Sequence, residues 1–167
     1  APCPQPAPNR VPAVELRFLN LYPDQMNIYA DRGNVIFLGR RCEWRGIGFT
    51  VDSAGPGDRF EASDYDFIYM GGGQDRDQKL VAGDLVETKQ SSVDEAVGSG
   101  KVMLAVCGGY QLLGESYELD DELIPGLGLV DLKTVREPGP RLIGPASITV
   151  DIDGSPHTVA GPENHGG

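Results

Sequence analysis

"KVMLAVCGGYQLLG" (101–114) decides how this chain is read. An apolar run ends on a lone cysteine, two glycines follow, and an amphipathic pattern begins. The run "KVMLAV" (101–106) is continuous enough to predict a buried strand. A helix through Tyr110, Leu112 and Leu113 is expected after it. Cys107 then stands on a sharp strand-to-helix turn, which pushes its side chain out of the sheet and crowds the backbone. Ala105, Gly108 and Gly109 relieve that crowding. The helix N-terminus brings free amide N–H groups and a positive dipole end to the sulfur. Both favour thiolate, and the same amides suit an oxyanion. A small buried thiol beside a tight turn is the plainer reading. The flanking glycines favour a nucleophile for Cys107, whereas Cys42 falls on the apolar face of a helix and reads as core.

Working toward the N-terminus, "DRDQKLVAGDLVETKQSSVDEAVGSG" (75–100) has helical spacing through Leu80, Leu85, Val86, Val93, Ala96 and Val97, with Ser91 or Ser92 capping a second piece. Before it, "YDFIYM" (65–70) is apolar on both faces, as a central parallel strand is. Between the two lies "GGGQDRDQ" (71–78), where glycines let backbone approach a ligand closely. A phosphate loop would carry Lys and Ser or Thr after the glycines; Gln74 and Asp75 stand there instead. Asp75 suits a helix cap, and Gly72 or Gly73 suits an oxyanion donor. Further upstream, "VELRFLN" (14–20) and "IGFTV" (47–51) read as strands around a helix over 33–46, which Gly46 and Gly48 end. Strands alternating with helices predict an α/β fold, a mostly parallel sheet flanked by helices. Beyond residue 120 the chain turns β-rich, with Asp153-Gly154 a tight-turn signal inside "SITVDIDGSPHTVAG" (147–161).

Composition bounds the rest. A chain of 167 residues is one domain by default, expected over 14–167. Such a length buries roughly 70% of the surface its unfolded form exposes. The first 13 residues hold five prolines and read as a disordered tail or cloning remnant, Cys3 an inert thiol within it. Net charge is −11, which repels phosphate backbones and argues against nucleic acid. No run approaches the ~20 apolar residues of a membrane span. Three cysteines cannot all pair, and they show no metal spacing, so a cytoplasmic, reducing setting fits. The acidic run "ELDDEL" (118–123) reads as a solvated turn rather than a metal cage. The finish on "GPENHGG" (161–167) is odd for a folded domain, and a C-terminally incomplete one is expected.

"CGGYQ" (107–111) has the C-x-G-x-Q form of the cysteine elbow in class I glutamine amidotransferases, which this chain resembles. The blocks "MNIYADRGN" (26–34), "GGGQDRDQ" (71–78), "CGGYQLLG" (107–114), "GLGLVDL" (126–132) and "ENHGG" (163–167) narrow the resemblance. Taken in order, they are similar to the glutaminase subunits of bacterial lipid II isoglutaminyl synthases, with cobyric acid synthase-type glutaminase domains the nearest relatives by motif. The resemblance implies a flavodoxin-like fold and a cysteine glutaminase without metal or cofactor. In it Cys107 attacks the side-chain amide of L-glutamine, and N–H groups near Gly72, Gly73 and Gly108 hold the oxyanion. Arg141 in "PRLIG" matches the family's substrate-binding arginine, and an arginine fork suits an α-carboxylate. Arg136 is the local competitor, and a solvated loop charge is the plainer reading of Arg141. Gln111 touches substrate or is ordinary elbow-helix surface. The resemblance also implies a Mur-ligase-like synthetase partner, forming a heterodimer that acts on a lipid-linked substrate.

A cysteine glutaminase uses a histidine base. The resemblance puts it in a block after "ENHGG", so neither His157 nor His165 is assigned that role. His157 reads as a solvated loop residue of a hairpin, and His165 is left unassigned, with a place lining the site as its less favoured alternative. Two classes of function follow: a glutaminase subunit that hands ammonia to a ligase, and a non-catalytic remnant that persists as the ligase's binding partner. A cobyric acid-type amidotransferase domain is the enzymatic alternative.

Overall fold

The computed structural model describes residues 14–28, 31–119, 122–136 and 138–165, and of His165 the backbone alone. The proline-rich start with Cys3, and Asp120 and Asp121 of the acidic run, lie outside the described residues. The chain divides into two compact units, Ala1–Lys133 and Thr134–Gly167.

The first unit is built on a four-stranded sheet in the order β2-β1-β3-β4. Its strands are β1 (Glu15–Leu21), β2 (Gly48–Ala54), β3 (Phe67–Met70) and β4 (Val102–Ala105), and every pairing is parallel. The helices are α1 (Asp31–Glu43), α2 (Asp75–Asp84), α3 (Gln90–Gly98) and α4 (Gly108–Gln111). The expected α/β architecture with helices flanking a parallel sheet is what the chain adopts. The doubly apolar run at 65–70 supplies the central β3, with Ile68, Tyr69 and Met70 all buried. Ile68 and Met70 pack with Leu19, Leu21, Val81, Leu85, Val93 and Leu112 into one core, while the Tyr69 ring stacks 5.9 Å from that of Phe18. Arg17 grips Asp66 through Nε and a terminal nitrogen (3.2 and 3.1 Å), which ties β1 to the turn before β3.

Local chemistry moved several boundaries. The first helix starts at Asp31, not at residue 33, because Asn27 Oδ1 accepts the Arg32 N–H (3.0 Å) and satisfies an N-terminal donor. It ends at Glu43, ahead of Gly46, whose φ of 66° no helix continues. The expected buried strand β4 is half exposed: Val102 and Leu104 alternate outward at the edge of the described sheet. No serine cap separates α2 from α3. A π-helical turn, Leu85–Lys89, joins them instead, and Leu80 lies 60% exposed. Among the described residues no helix is long and apolar enough to cross a membrane.

Past α4 come a short sheet in the order β6-β5-β7, made of β5 (Ser116–Leu119), β6 (Glu122–Pro125) and β7 (Lys133–Thr134). The second unit is a long antiparallel hairpin, β8 (Leu142–Ile152) with β9 (Ser155–His165). Asp153 and Gly154 turn it with φ of 52° and 78°, the two positive values a two-residue primed turn demands.

A candidate active site at the end of the parallel sheet

Register puts the carboxyl ends of the four parallel strands level: Leu21 pairs with Ala54 and with Met70, and Met70 with Ala105. Ligand sites form beyond such ends, near where the strand order reverses. Two segments converge there, the glycine loop after β3 and the cysteine turn after β4.

The ladder runs one residue past β4, since the Val106 N–H donates to the Met70 carbonyl (3.0 Å). The next residue, Cys107, has φ 51° and ψ −114° and an exposed thiol. A non-glycine residue held there stores about 1–3 kcal/mol of strain. The expected elbow is therefore present. The helix behind it is a single turn, however, with the Gln111 N–H bonded to the Cys107 carbonyl (3.1 Å). One turn sums few peptide dipoles, so the expected macrodipole support for thiolate is weak and the elbow's contribution is its separate N–H groups.

Glycines let the two segments touch. A Cβ on Gly109 would sit 2.6 Å from the Gly71 carbonyl oxygen and 2.7 Å from that of Met70, so the elbow packs backbone against backbone on the end of β3. Gly109→Ala should cost about 1–3 kcal/mol, because neither carbonyl can yield without breaking the turn. Gly98→Ala, whose Cβ meets nothing within 4 Å, is the matched control. Urea midpoints of the two variants check this: only Gly109→Ala should fall.

Gly71 is equally confined, its Cβ position lying 2.2 Å from the Met26 carbonyl oxygen and 2.6 Å from Asp31 Cγ. Asp31 is 2% exposed and accepts the Tyr69 hydroxyl at 2.7 Å, while Asn34 Nδ2 donates to that hydroxyl at 2.9 Å. Burial first, then the bond to Asp31, push the Tyr69 phenol up to about 12, against the opposing Asn34 donor. It stays a protonated donor, and the glycine loop rests on a fixed base. One step on, the Gly72 carbonyl accepts the Ile28 N–H (3.2 Å). The N–H groups of Gly72, Gly73 and Gly108 meet no backbone acceptor among the described residues.

The remaining expected site residues are placed as follows. Gln111 closes α4, half-buried, and its Oε1 accepts Gln78 Nε2 at 3.3 Å. Asp75 does not cap α2: Gln74 holds the cap position, and Asp75 Oδ1 accepts the Tyr117 hydroxyl (3.1 Å). Arg141 belongs to the second unit, exposed, its Nε 3.4 Å from Asn164 Oδ1 on the paired strand. Arg136 and His157 are exposed in that unit too, His157 within β9 rather than in the turn. The acidic run ends β5 and begins β6, with Glu122 paired to Lys79. No three acidic, histidine or cysteine groups among the described residues could share a metal ion. Sequence reasoning missed Asp31, Tyr69 and Gln78. Gln78 lies in a loop read for its glycines, Tyr69 in a strand read for its apolar run, and Asp31 in a block that entered only through the resemblance.

Residues 19–167 match the model of the CobB/CobQ-like glutamine amidotransferase domain. The chain is 39% identical over 155 residues to the lipid II isoglutaminyl synthase (glutamine-hydrolyzing) subunit GatD of Streptococcus pneumoniae, covering 92% of this chain and 58% of that protein. It is 36% identical over 154 residues to the subunit of the same description in Staphylococcus aureus, covering 92% and 61%. A hydrogenobyrinate a,c-diamide synthase of Brucella anthropi is 34% identical over 120 residues, 69% of this chain and 26% of that one. The chain thus spans about three-fifths of the length of the two GatD relatives. Among solved structures, a chain of PurLQS from Thermotoga maritima shares the fold with a TM-score of 0.55 at 16% identity, over 90% of this chain and 66% of that one. The family match extends over residues 19–167, and the chain belongs to the CobB/CobQ-like glutamine amidotransferase family.

Proposed function

We propose that the chain is the glutaminase part of a lipid II isoglutaminyl synthase. The observation that carries this reading is the Cys107 elbow, its thiol exposed and its backbone held at φ 51° beside the glycine loop. The Cys107 sulfur attacks the side-chain amide carbon of L-glutamine. The carbonyl oxygen takes the negative charge and is held by N–H groups of Gly72, Gly73 and Gly108, which no backbone acceptor among the described residues occupies. Collapse breaks the C–N bond, ammonia leaves with the proton it gains, and a thioester remains. Water then attacks the thioester, releasing glutamate and returning the proton to the thiolate. Gln111 is the proposed substrate contact on the elbow helix, and Arg141, in the second unit, is the residue whose motif the resemblance links to the α-carboxylate.

The chain's two histidines, His157 and His165, both fall within β9, so the first unit has no histidine base of its own. The proton shuttle comes from outside that unit. Free ammonia is protonated in neutral water and loses its nucleophilicity, so the product needs a coupled acceptor. The proposed acceptor enzyme is a Mur-ligase-like synthetase, forming a heterodimer with this chain in the cytoplasm and amidating the D-glutamate α-carboxyl of lipid II. The cobyric acid-type alternative is less supported, since similarity to the GatD subunits extends over 92% of the chain, against 31% and 28% for two cobyric acid synthases.

The test is covalent. A diazoketone analogue of glutamine should label Cys107 and leave Cys42, which is buried, untouched. Peptide mass spectrometry reads the site, and protection by excess L-glutamine but not D-glutamine is expected. Labelling spread evenly over thiols, or none in the full gene product with its synthetase, refutes the assignment.

A further inference from the structure

We infer that Gln78 is the positioning residue that holds the oxyanion loop and the cysteine elbow in one geometry; this rests on the glutaminase reading above. Gln78 is on α2, is 2% exposed, and points between the two segments. Its Nε2 donates to the Gly73 carbonyl at 3.1 Å and to Gln111 Oε1 at 3.3 Å. The same amide fills the space over Gly108, where a Cβ would lie 1.9 Å from Nε2. Its Oε1 is buried with no partner among the described residues, so the group is kept at the cost of an unpaired acceptor.

The bonds fix more than two distances. A peptide group is planar and trans, so pinning its carbonyl also aims its N–H the opposite way. Ile28 pins the Gly72 carbonyl, which aims the Gly73 N–H; Gln78 pins the Gly73 carbonyl and with it the following peptide. Because Nε2 is a donor, the atom of Gln111 that meets it is the acceptor, and the Gln111 NH₂ meets no acceptor among the described residues. The free end of Gln111 therefore offers N–H donors, which suit an oxygen of the substrate. One buried amide thus sets the loop, the first residue after the nucleophile, and the sense of Gln111.

The test uses Gln78→Met, which keeps length and removes both donors, and Gln78→Glu, which keeps the shape and replaces the donors with acceptors. Both are made in the full gene product with its synthetase. Removing an oxyanion donor costs roughly 10²–10³ in kcat, and misaiming one should cost about tenfold or more. The expected result is a kcat at least tenfold lower in both variants, with iodoacetamide alkylation of Cys107 changed less than twofold. Amide hydrogen exchange should quicken over 72–74 and 109–112 and not over α3. A kcat within threefold of wild type in either folded variant overturns the inference, whatever the exchange shows. Should the unsubstituted complex hydrolyse no glutamine, the glutaminase reading fails by itself; exchange then decides the tie, and unchanged rates remove it too.

Discussion

Cys107→Gly should abolish glutamine hydrolysis and leave a protein more stable than the parent. Cys107 is held at φ 51°, ψ −114°, where a side chain is strained and glycine is not. Relief of that strain gives about 1–3 kcal/mol, and the looser unfolded chain of glycine takes back about 0.4–1. A net gain near 1 kcal/mol remains. Cys107→Ala keeps the Cβ and the strain, so its stability should stay near that of the parent. Activity should fall alike in both, by roughly 10⁴ or more, as when other enzymes lose their nucleophile. Initial rates of ammonia release, read beside urea midpoints, check the pair. Equal midpoints for the glycine and alanine variants would show that the elbow is unstrained. Retained turnover in either would remove the thioester route. Only a residue kept against its own backbone preference gives this opposite movement of stability and rate, which is why the comparison says more than loss of activity does.

The elbow was legible because its signal is local: an apolar strand, a thiol and two glycines in immediate succession. The hairpin turn at Asp153-Gly154 was legible for the same reason, since both positive φ values follow from residue type. What the sequence concealed was set by packing between distant segments. Leu80 looked like core and is exposed, while Gln78, two residues earlier, is buried, because the face of α2 that meets the sheet is chosen by the space over Gly73 and Gly108. The run at 101–106 looked buried on both faces, yet nothing in it reveals that β4 is an edge of the described sheet. Arg141 was matched by motif alone, and motif order carries no information about distance. The join between α2 and α3 was concealed most fully: the pattern there is plainly helical, and a π turn leaves no mark in hydropathy.

That turn carries the second large effect expected, on stability. Residues five apart on an α-helix face different sides, but the widened turn brings Asp84 and Lys89 together. The Lys89 side chain is fully buried, its Nζ bonded to Asp84 Oδ2 and 4.7 Å from the centre of the Tyr22 ring. Asp84 also accepts the Tyr22 hydroxyl (2.7 Å) and the Gly57 N–H (2.8 Å). The network therefore ties the end of β1, where Tyr22 has a φ of 53°, to a loop and a helix junction. Asp84→Ala strands a buried ammonium, which costs about 3–5 kcal/mol. By the usual scaling this lowers Tm by about 10 °C or more. Lys89→Met removes the charge itself, so the double variant should recover part of that loss, and the cycle should show coupling of about 1–3 kcal/mol. Acid should act through the same carboxylate. Burial raises Asp84, but the bonds from Lys89, Tyr22, Gly57 and Thr88 outweigh it and bring the carboxyl down to about 2. A depressed folded value gives stability that is present above about pH 4 and is lost as pH falls toward 2. Tyr22 moves the other way, raised first by burial and then by Asp84, so its contribution is present below about pH 10 and is lost above it. Thermal melts from pH 2 to 11 should show both limbs in the parent. In Lys89→Met/Asp84→Ala the acid limb should flatten, and in Tyr22→Phe the alkaline one. An additive double variant, or limbs unchanged by these substitutions, would mean the buried charges are independent and the π turn is held by its apolar neighbours alone.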